Sequence, residues 1–533
     1  MISLQQISYI HPNKDLLFEN ISLTINSHEK IALIGNNGVG KSTLLRLIAG
    51  QLSPTAGSKH SYTPSFYVPQ ITGQYDELTV AQALGIDKKL DAFYAILDGS
   101  ASEENFNSLQ DDWTLEERCQ EAFDYWNLPE IHLKQKMADL SGGQKAKVLL
   151  AGIQIHGCEL ILLDEPSNHL DIDSKKLLYQ WVQSSKQTIV VVSHDRTLLN
   201  LLEDTLEMTS HGIKRYGGNY TFYESQKEIE RNALQQDIHQ QEKAIKIAKE
   251  KERETIERQN RLNNRGQKKQ EKAGVARIMM NTLRNNAEKS TAKIKSVHQE
   301  KIGDIKSNLQ ELRSSKAALD EIKIDLGNST FPLGKSIIKA NNINFKYATH
   351  ELWTENINLQ LFSGDRVIVQ GKNGSGKTTL IKMLLGQLTP CQGQIERHTF
   401  STIYLDQEYS LIDRQLSVYE QAQSYNSESL AEHDIKIRLN RFLFGKDDWD
   451  KSCQLLSGGE KMRLILCCLT IRQQAPDLIV LDEPTNNLDI QNIRILTRTI
   501  QHYRGTLLVI SHDEIFQQEV GIDKVIVLKN QVK

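Results

Sequence analysis

The 533-residue sequence is poor in cysteine, and its six cysteines (119, 158, 391, 453, 467 and 468) form no C-x-x-C pair and no zinc-type spacing. That argues against a disulfide framework and against a zinc ribbon. The thiols read as reduced, and Cys467 and Cys468, inside an apolar helical pattern, read as buried. Long apolar runs are missing too: none approaches the ~18 residues of a membrane span. The first fifteen residues lack the basic-then-apolar order of a secretion signal, so the expected location is cytoplasmic. Net charge is small, −3, but uneven. Residues 224–325 hold 23 Lys and Arg against 17 Asp and Glu, a surplus of +6 that leaves −9 on the rest. A basic element on an acidic body points to a polyanionic partner. Apolar content of 39% with 31 glycines is ordinary globular usage, and the length suits three or four domains of ~150 residues.

One loop occurs twice. Residues 35–42 read GNNGVGKS and residues 371–378 read GKNGSGKT, both matching G-x-x-x-x-G-K-[ST]. Glycines let the backbone curl so that successive N–H groups surround a phosphate chain. Lys41 and Lys377 then reach the β/γ-phosphates, while the Ser42 and Thr378 hydroxyls can ligate Mg²⁺. Each loop follows an apolar run (KIALI, RVIVQ) and precedes a helical pattern (TLLRLIAG, TLIKMLLG), the strand–loop–helix context the motif requires.

Further features repeat at matched offsets. Gln70 and Gln407 follow the first glycines Gly35 and Gly371 by 35 and 36 residues, after SFYV and TIYL, where an amide can reach Mg²⁺ and the attacking water. LSGGQ (140–144) and LSGGE (456–460) open helices; Ser141, Gly142 and Gly143, and likewise Ser457, Gly458 and Gly459, present N–H groups to an anion. LILLDE and LIVLDE read as buried strands delivering carboxylates at their C-terminal ends. Asp164 and Asp482 are expected to hold Mg²⁺ through water, and Glu165 and Glu483 to polarise the hydrolytic water. PSNHLD and PTNNLD follow, ending at Asp171 and Asp489. His194 and His512 lie 30 residues after Asp164 and Asp482, each ending an apolar strand.

Residues 223–332 carry none of these motifs. Residues 224–258, nearly free of Gly and Pro, read as a polar helix, and residues 286–322 as a second, with Ile302, Ile305, Leu309, Leu312 and Leu319 at coiled-coil spacing. A bend containing Asn263, Asn264, Gly266 and Gly274 would join two helices of ~35 residues into an antiparallel hairpin ~50 Å long. Residues 258–295 hold eleven cations (Arg258, Arg261, Arg265, Lys268, Lys269, Lys272, Arg277, Arg284, Lys289, Lys293 and Lys295) against Glu271 and Glu288, a net of +9. Within them lies an apolar patch, Val275, Ala276, Ile278, Met279, Met280 and Leu283. Cations flanking such a patch suit docking on RNA phosphates and bases.

Residues 1–222 and 333–533 each resemble an ATP-binding cassette ATPase domain. The whole chain, two cassettes joined by a basic hairpin (223–332), resembles the ABC-F proteins. The implied fold is α/β: two P-loop ABC ATPase domains joined by a long antiparallel α-helical hairpin. The implied cofactors are ATP and Mg²⁺, and the implied nucleotide-binding residues are Gly35, Asn36, Asn37, Gly38, Val39, Gly40, Lys41, Ser42 and Thr43, with Gly371, Lys372, Asn373, Gly374, Ser375, Gly376, Lys377, Thr378 and Thr379. In that family the cassettes pair head to tail, so Lys41 is expected to work with Ser457 and Lys377 with Ser141, as an intramolecular dimer in a monomeric chain. Glu165, Glu483, His194 and His512 are the implied catalytic residues. Tyr347 stands where the family places an aromatic under adenine; in the first half either His11 or Tyr9 takes that place.

The family acts on ribosomes. Its hairpin approaches the peptidyl-site tRNA and the peptidyl-transferase centre, so the implied partners are rRNA and tRNA, met through residues 258–295, with a tip at 267–285. Some members relieve stalled ribosomes and others counteract antibiotics bound there. The chain ends at Lys533 directly after the last cassette strands, so no C-terminal extension is expected. The P-loop lies 106 residues from the signature serine in the first half but 86 in the second. The surplus falls around residues 98–113, which is either a partner-contacting insertion or a solvated loop. Two other classes compete. A transporter's ATPase subunit would leave the basic hairpin without a role. DNA-repair ATPases carry zinc-binding cysteine pairs that are missing here.

Overall fold

The computed structural model describes residues 2–70, 73–100, 102–209, 212–272, 289, 292–293, 295–297, 299–310, 312, 331–347, 350–372, 374–427, 430–472, 474–486 and 488–528, without the side chains of 263 and 266–272.

Strands form where aliphatic and β-branched residues run on without a polar break. Leu160–Asp164 and Thr188–Val192 are buried at every position, and so are Leu478–Asp482 and Thr506–Ile510. Burial on both faces suits a parallel sheet covered by helices. The first cassette has six strands in the order Ser65–Val68, Leu160–Asp164, Thr188–Val192, Lys30–Ile34, Asp204–Thr209, Gly212–Tyr216, with only the last pair antiparallel. The second repeats this with five parallel strands: Thr402–Leu405, Leu478–Asp482, Thr506–Ile510, Arg366–Gln370, Lys524–Val527. A three-stranded antiparallel sheet accompanies each, Leu16–Ile25, Ile2–Ile10 and Ala56–Ser61 in the first, Ile357–Phe362, Ser336–Asn344 and Gln392–Arg397 in the second. Ile25, Ile31 and Leu44 share one core, and Ile338, Val367 and Leu380 the other. In each cassette the strand before the P-loop is interior to the sheet. The P-loop, the Asp-Glu pair and the histidine therefore all emerge at one C-terminal edge, where open α/β sheets bind ligands.

Both cassettes fall in one compact unit, and Tyr223–Asp320 forms a second. A single helix, Tyr220–Lys272, runs for 53 residues, ~80 Å at 1.5 Å per residue. It runs on through Asn263, Asn264 and Gly266, which the sequence reading assigns to a bend. One glycine costs a helix only ~1 kcal/mol, and the Gln, Lys, Glu and Arg around it are strong helix formers. Beyond Lys272 the chain is helical at residues 289, 292–293, 295–297, 299–310 and 312. There Ile302 and Leu309 are buried and Ile305 and Leu312 half-buried, whereas 303, 304 and 306–308 are exposed. Gly274, the apolar patch at 275–280, Leu283, Arg277, Arg284 and Leu319 lie outside the described residues.

The insertion at 98–113 contains a helix, Glu103–Leu109, whose start is capped by the Ser102 hydroxyl accepting the Asn105 N–H at 3.2 Å. Leu109 is fully buried, and Trp113 meets the rings of Phe93 and Phe106. It is therefore folded structure with one core contact, although most of its residues face solvent. Cys467 and Cys468 are buried free thiols.

Candidate nucleotide sites

The P-loop backbone needs its glycines. Gly40 has φ 103° and Gly376 φ 87°, in the left-handed region. A Cβ on Gly35 would stand 2.4 Å from the Met208 carbonyl oxygen. At the loop's end each lysine turns back inside it. Lys41 Nζ donates to the carbonyls of Gly35 (2.7 Å) and Asn36 (3.1 Å). Lys377 Nζ does the same to Gly371 (2.8 Å) and Lys372 (3.3 Å). Burial holds both ammonium groups below their usual range, an effect the nearby carboxylates offset. Ser375 is buried and its carbonyl accepts the Trp353 indole N–H at 2.8 Å. Asn373 lies outside the described residues.

The carboxylates stand beside the loops. Asp164 Oδ2 accepts the Tyr67 hydroxyl at 3.0 Å, and Ser42 is hydrogen-bonded to the same carboxylate. In the second cassette Asp482 Oδ2 accepts from Tyr404 and from Thr378, each at 3.0 Å. Asp164 keeps Oδ1 buried without a hydrogen-bond partner. A hydroxyl next to a carboxylate with an uncommitted oxygen fits a hard cation with oxygen ligands, as Mg²⁺ is.

Glu165 and Glu483 both have φ 51°, rare for a residue with a Cβ. The N–H of Glu165 bonds to the Val192 carbonyl and that of Glu483 to the Ile510 carbonyl, both at 2.8 Å. This pins each glutamate to the strand that carries the histidine. His194 Nε2 lies 3.3 Å from Glu165 Oε1, and His512 Nε2 lies 3.2 Å from Glu483 Oε1. Burial, with Asp164 alongside, pushes the Glu165 carboxyl up to about 8. Burial pushes Glu483 up to about 7, with Lys377 and Lys175 opposing. Burial, helped by Lys41, holds His194 down to about 3; burial, helped by Lys377 and Lys175, holds His512 down to about 4. Both imidazoles are therefore neutral at pH 7.

The cavities are built differently. One of about 310 Å³ is lined by Ser141, Gly142, Gly143, Asn168, His169 and Lys175 of the first cassette and by Gln407, Asp482, Glu483 and His512 of the second. His512 Nε2 is 3.5 Å from Lys377 Nζ. The first signature thus faces the second cassette's carboxylates, while Lys377 itself does not line this cavity. The other cavity, about 380 Å³, is lined by Asn37, Gly38, Gly40, Lys41, Ser42, Thr43, Gln70, Asp164, Glu165 and His194. None of its described lining residues comes from the second cassette. The structure does not bring Ser457 to it; what reaches across is Asp489, whose Oδ2 accepts the Asn37 N–H at 3.5 Å. Ser141 and Ser457 both cap their helices, accepting the Gln144 and Glu460 N–H groups at 3.3 Å. A Cβ on Gly459 would collide with Asn492, while Gly458 has room.

His11 lines the cavity around Lys41, whereas Tyr9 stands behind it against Phe18 and the core. Tyr347 is exposed, its hydroxyl 3.1 Å from that of Thr379. The sequence reading missed Tyr67 and Tyr404, although each lies three residues before Gln70 or Gln407. It also missed Arg196, which grips both Glu519 oxygens across the cassette interface at 2.8 Å each.

The pattern of the ABC transporter family matches residues 18–168 and 354–486, more than half of the chain. The chain is 28% identical over 522 residues to the probable ATP-binding protein YbiT of Escherichia coli O157:H7, covering 94% of this chain and 91% of that protein. It is 28% identical over 536 residues to ABC transporter F family member 5 of Arabidopsis thaliana, covering 95% and 72%. Among solved structures, RNase-L Inhibitor matches with a TM-score of 0.62 at 18% identity, covering 99% of this chain and 88% of that one. The archaeal ribosome recycling factor aABCE1, in complex with the stalk protein aP1, matches at 0.61 and 19%, again covering 99% and 88%; both are likenesses of fold. The chain belongs to the ABC transporter family: it is a tandem-cassette ATP hydrolase, and its relatives along nearly its whole length include F-family members.

Proposed function

We infer that the chain hydrolyses ATP at two composite sites and acts on the ribosome through residues 223–332. In each site the P-loop and its lysine would hold the phosphates, and Ser42, Gln70 and Asp164, or Thr378, Gln407 and Asp482, would hold Mg²⁺. Bound Mg²⁺ neutralises phosphate charge. Glu165 and Glu483 take the proton of the attacking water, and His194 and His512, as neutral rings, donate a hydrogen bond to the terminal phosphate. Ser141 completes the site of Lys377; at the site of Lys41 the cross-cassette group in place is Asp489, and bound ATP would have to draw Ser457 in. The reaction takes place in the cytoplasm, within a monomer whose cassettes pair with each other.

One observation carries the ribosomal reading: the +9 stretch of residues 258–295, whose first part lies on a 53-residue helix that starts at the end of the first cassette. Charge concentrated on so long an element suits a phosphate-rich partner such as rRNA or tRNA. Likeness of fold to a ribosome recycling factor agrees with this without carrying it.

Cosedimentation with ribosomes in ATP tests the reading. Replacing Lys268, Lys269, Lys272 and Arg277 by Ala should weaken binding and lower its salt slope by up to about four charges' worth, with ATPase turnover kept. Replacing residues 267–285 by a Gly-Ser turn should spare much of the binding and abolish the effect on translation. A drug-susceptibility panel then separates rescue of stalled ribosomes from protection against antibiotics. Salt-independent binding, or full activity of the shortened chain, would leave the segment a spacer.

A further inference from the structure

The matched helices that follow the two L-D turns differ at one position where a nucleotide's charge matters. Their N-caps are Asp171 and Asp489. Four residues past the cap stands Lys175 in the first cassette and Ile493 in the second. A spacing of four keeps a side chain on the cap's face of the helix. Ile493 is buried. Lys175 instead lines the cavity of the second site, with Ser141 on its own side and Glu483 and His512 opposite. Its charge reaches both Glu483 and His512 electrostatically.

This ammonium faces the carboxylates of Asp195, Asp513 and Glu483 but is hydrogen-bonded to none of them. Its side chain is 14% exposed, and Asp195 Oδ2 stands 3.7 Å away, beyond hydrogen-bonding distance. That oxygen already accepts the Tyr179 hydroxyl at 2.6 Å, while Oδ1 accepts the N–H groups of Thr197 and Leu198. A cation one turn from a helix start also opposes the helix dipole. A charge so withdrawn from water and without a direct hydrogen bond keeps its donors for an anion brought into the cavity.

We propose that Lys175 is a phosphate ligand supplied in trans: from the first cassette it contacts the terminal phosphate of ATP held by the Lys377 loop. The second site then has a cation that the first, with Ile493 at the matched place, lacks. Lysine acts here as a point charge, so it favours ATP over ADP and strengthens as the phosphate gains charge in the transition state. The inference rests on the reading that Lys377 and Ser141 form one composite site.

The test uses the full chain with one site silenced at a time. Glu165→Gln leaves the second site active and Glu483→Gln the first. Lys175→Ile should lower kcat/KM for ATP roughly tenfold to a hundredfold in the Glu165→Gln background and leave it unchanged in the Glu483→Gln background. With first-site binding removed by Lys41→Ala, it should weaken a non-hydrolysable ATP analogue but not ADP, and Lys175→Arg should restore most of the loss. Equal losses in both backgrounds, equal losses for the analogue and ADP, or no loss overturn the proposal. Should Lys175→Ile melt early, Lys175→Gln against Lys175→Arg carries the same comparison. Ser141→Arg in the Glu165→Gln background separates the levels. Loss with Ser141→Arg but none with Lys175→Ile removes Lys175 alone, and no loss with Ser141→Arg removes the composite site beneath it.

Discussion

A general base works only when ionised, so the buried glutamates should give each site its own pH profile. Glu165→Gln leaves Glu483, which burial places at about 7, and Glu483→Gln leaves Glu165, at about 8. The parameter kcat/KM reports the free enzyme, so it should rise with pH through these values and then level. At pH 7 about half of Glu483 and about a tenth of Glu165 are ionised. Glu165→Gln should therefore outpace Glu483→Gln about fivefold at pH 7, with the gap closing by about pH 9. The double variant should lose about 10²–10⁴-fold on the high-pH plateau, and less as pH falls. Phosphate release from pH 5.5 to 9.5 measures this. The same groups act on stability. A carboxyl raised by folding contributes fully below its unfolded value of 4.5 and loses that contribution as pH rises through 7 to 8. The depressed histidines contribute above 6.5 and lose it as pH falls through 4 to 3. Above pH 6.5 the histidines no longer contribute a change, so these two carboxyls should lower the melting temperature of the nucleotide-free chain as pH rises to 8, and the double variant should flatten that trend. Rates flat between pH 6 and 9 with an unchanging melting temperature would refute burial as the cause of these shifts.

Arg196→Ala should destabilise the paired cassettes by about 1–3 kcal/mol in denaturant unfolding, less than for a fully buried pair because Glu519 is 37% exposed; an unchanged midpoint would count against the clamp. His11→Ala should weaken ATP binding at the first site, whereas Tyr9→Ala should lower the melting temperature instead, since Tyr9 packs on the core; nucleotide titration beside calorimetry distinguishes them. Ser457→Arg should disable the Lys41 site more than the Lys377 site in site-resolved nucleotide trapping, and equal loss at both would point to misfolding.

What the sequence determined by itself is what short-range chemistry dictates. A P-loop needs glycines at set places, so GNNGVGKS and GKNGSGKT announce their geometry. Strands buried on both faces must be apolar throughout, so LILLD and LIVLD announce the interior of a parallel sheet and the edge where their carboxylates emerge. The long helix was legible in kind but not in extent, because one glycine's small penalty at Gly266 is outweighed by its neighbours. The insertion's helix hung on a single cap, Ser102, and on the burial of Leu109 among groups no local pattern reveals. Between His11 and Tyr9 the choice lay with the strand Ile2–Ile10, whose register slips near Tyr9 and Ile10 and so breaks the alternation that would assign faces. Contacts across the cassettes were hidden altogether. Asn37 meets Asp489 from 452 residues away and Arg196 meets Glu519 from 323, and Lys175 reaches a cavity made mostly by the other half. Such pairs follow no periodicity, because only the packing of one folded cassette against another brings them together.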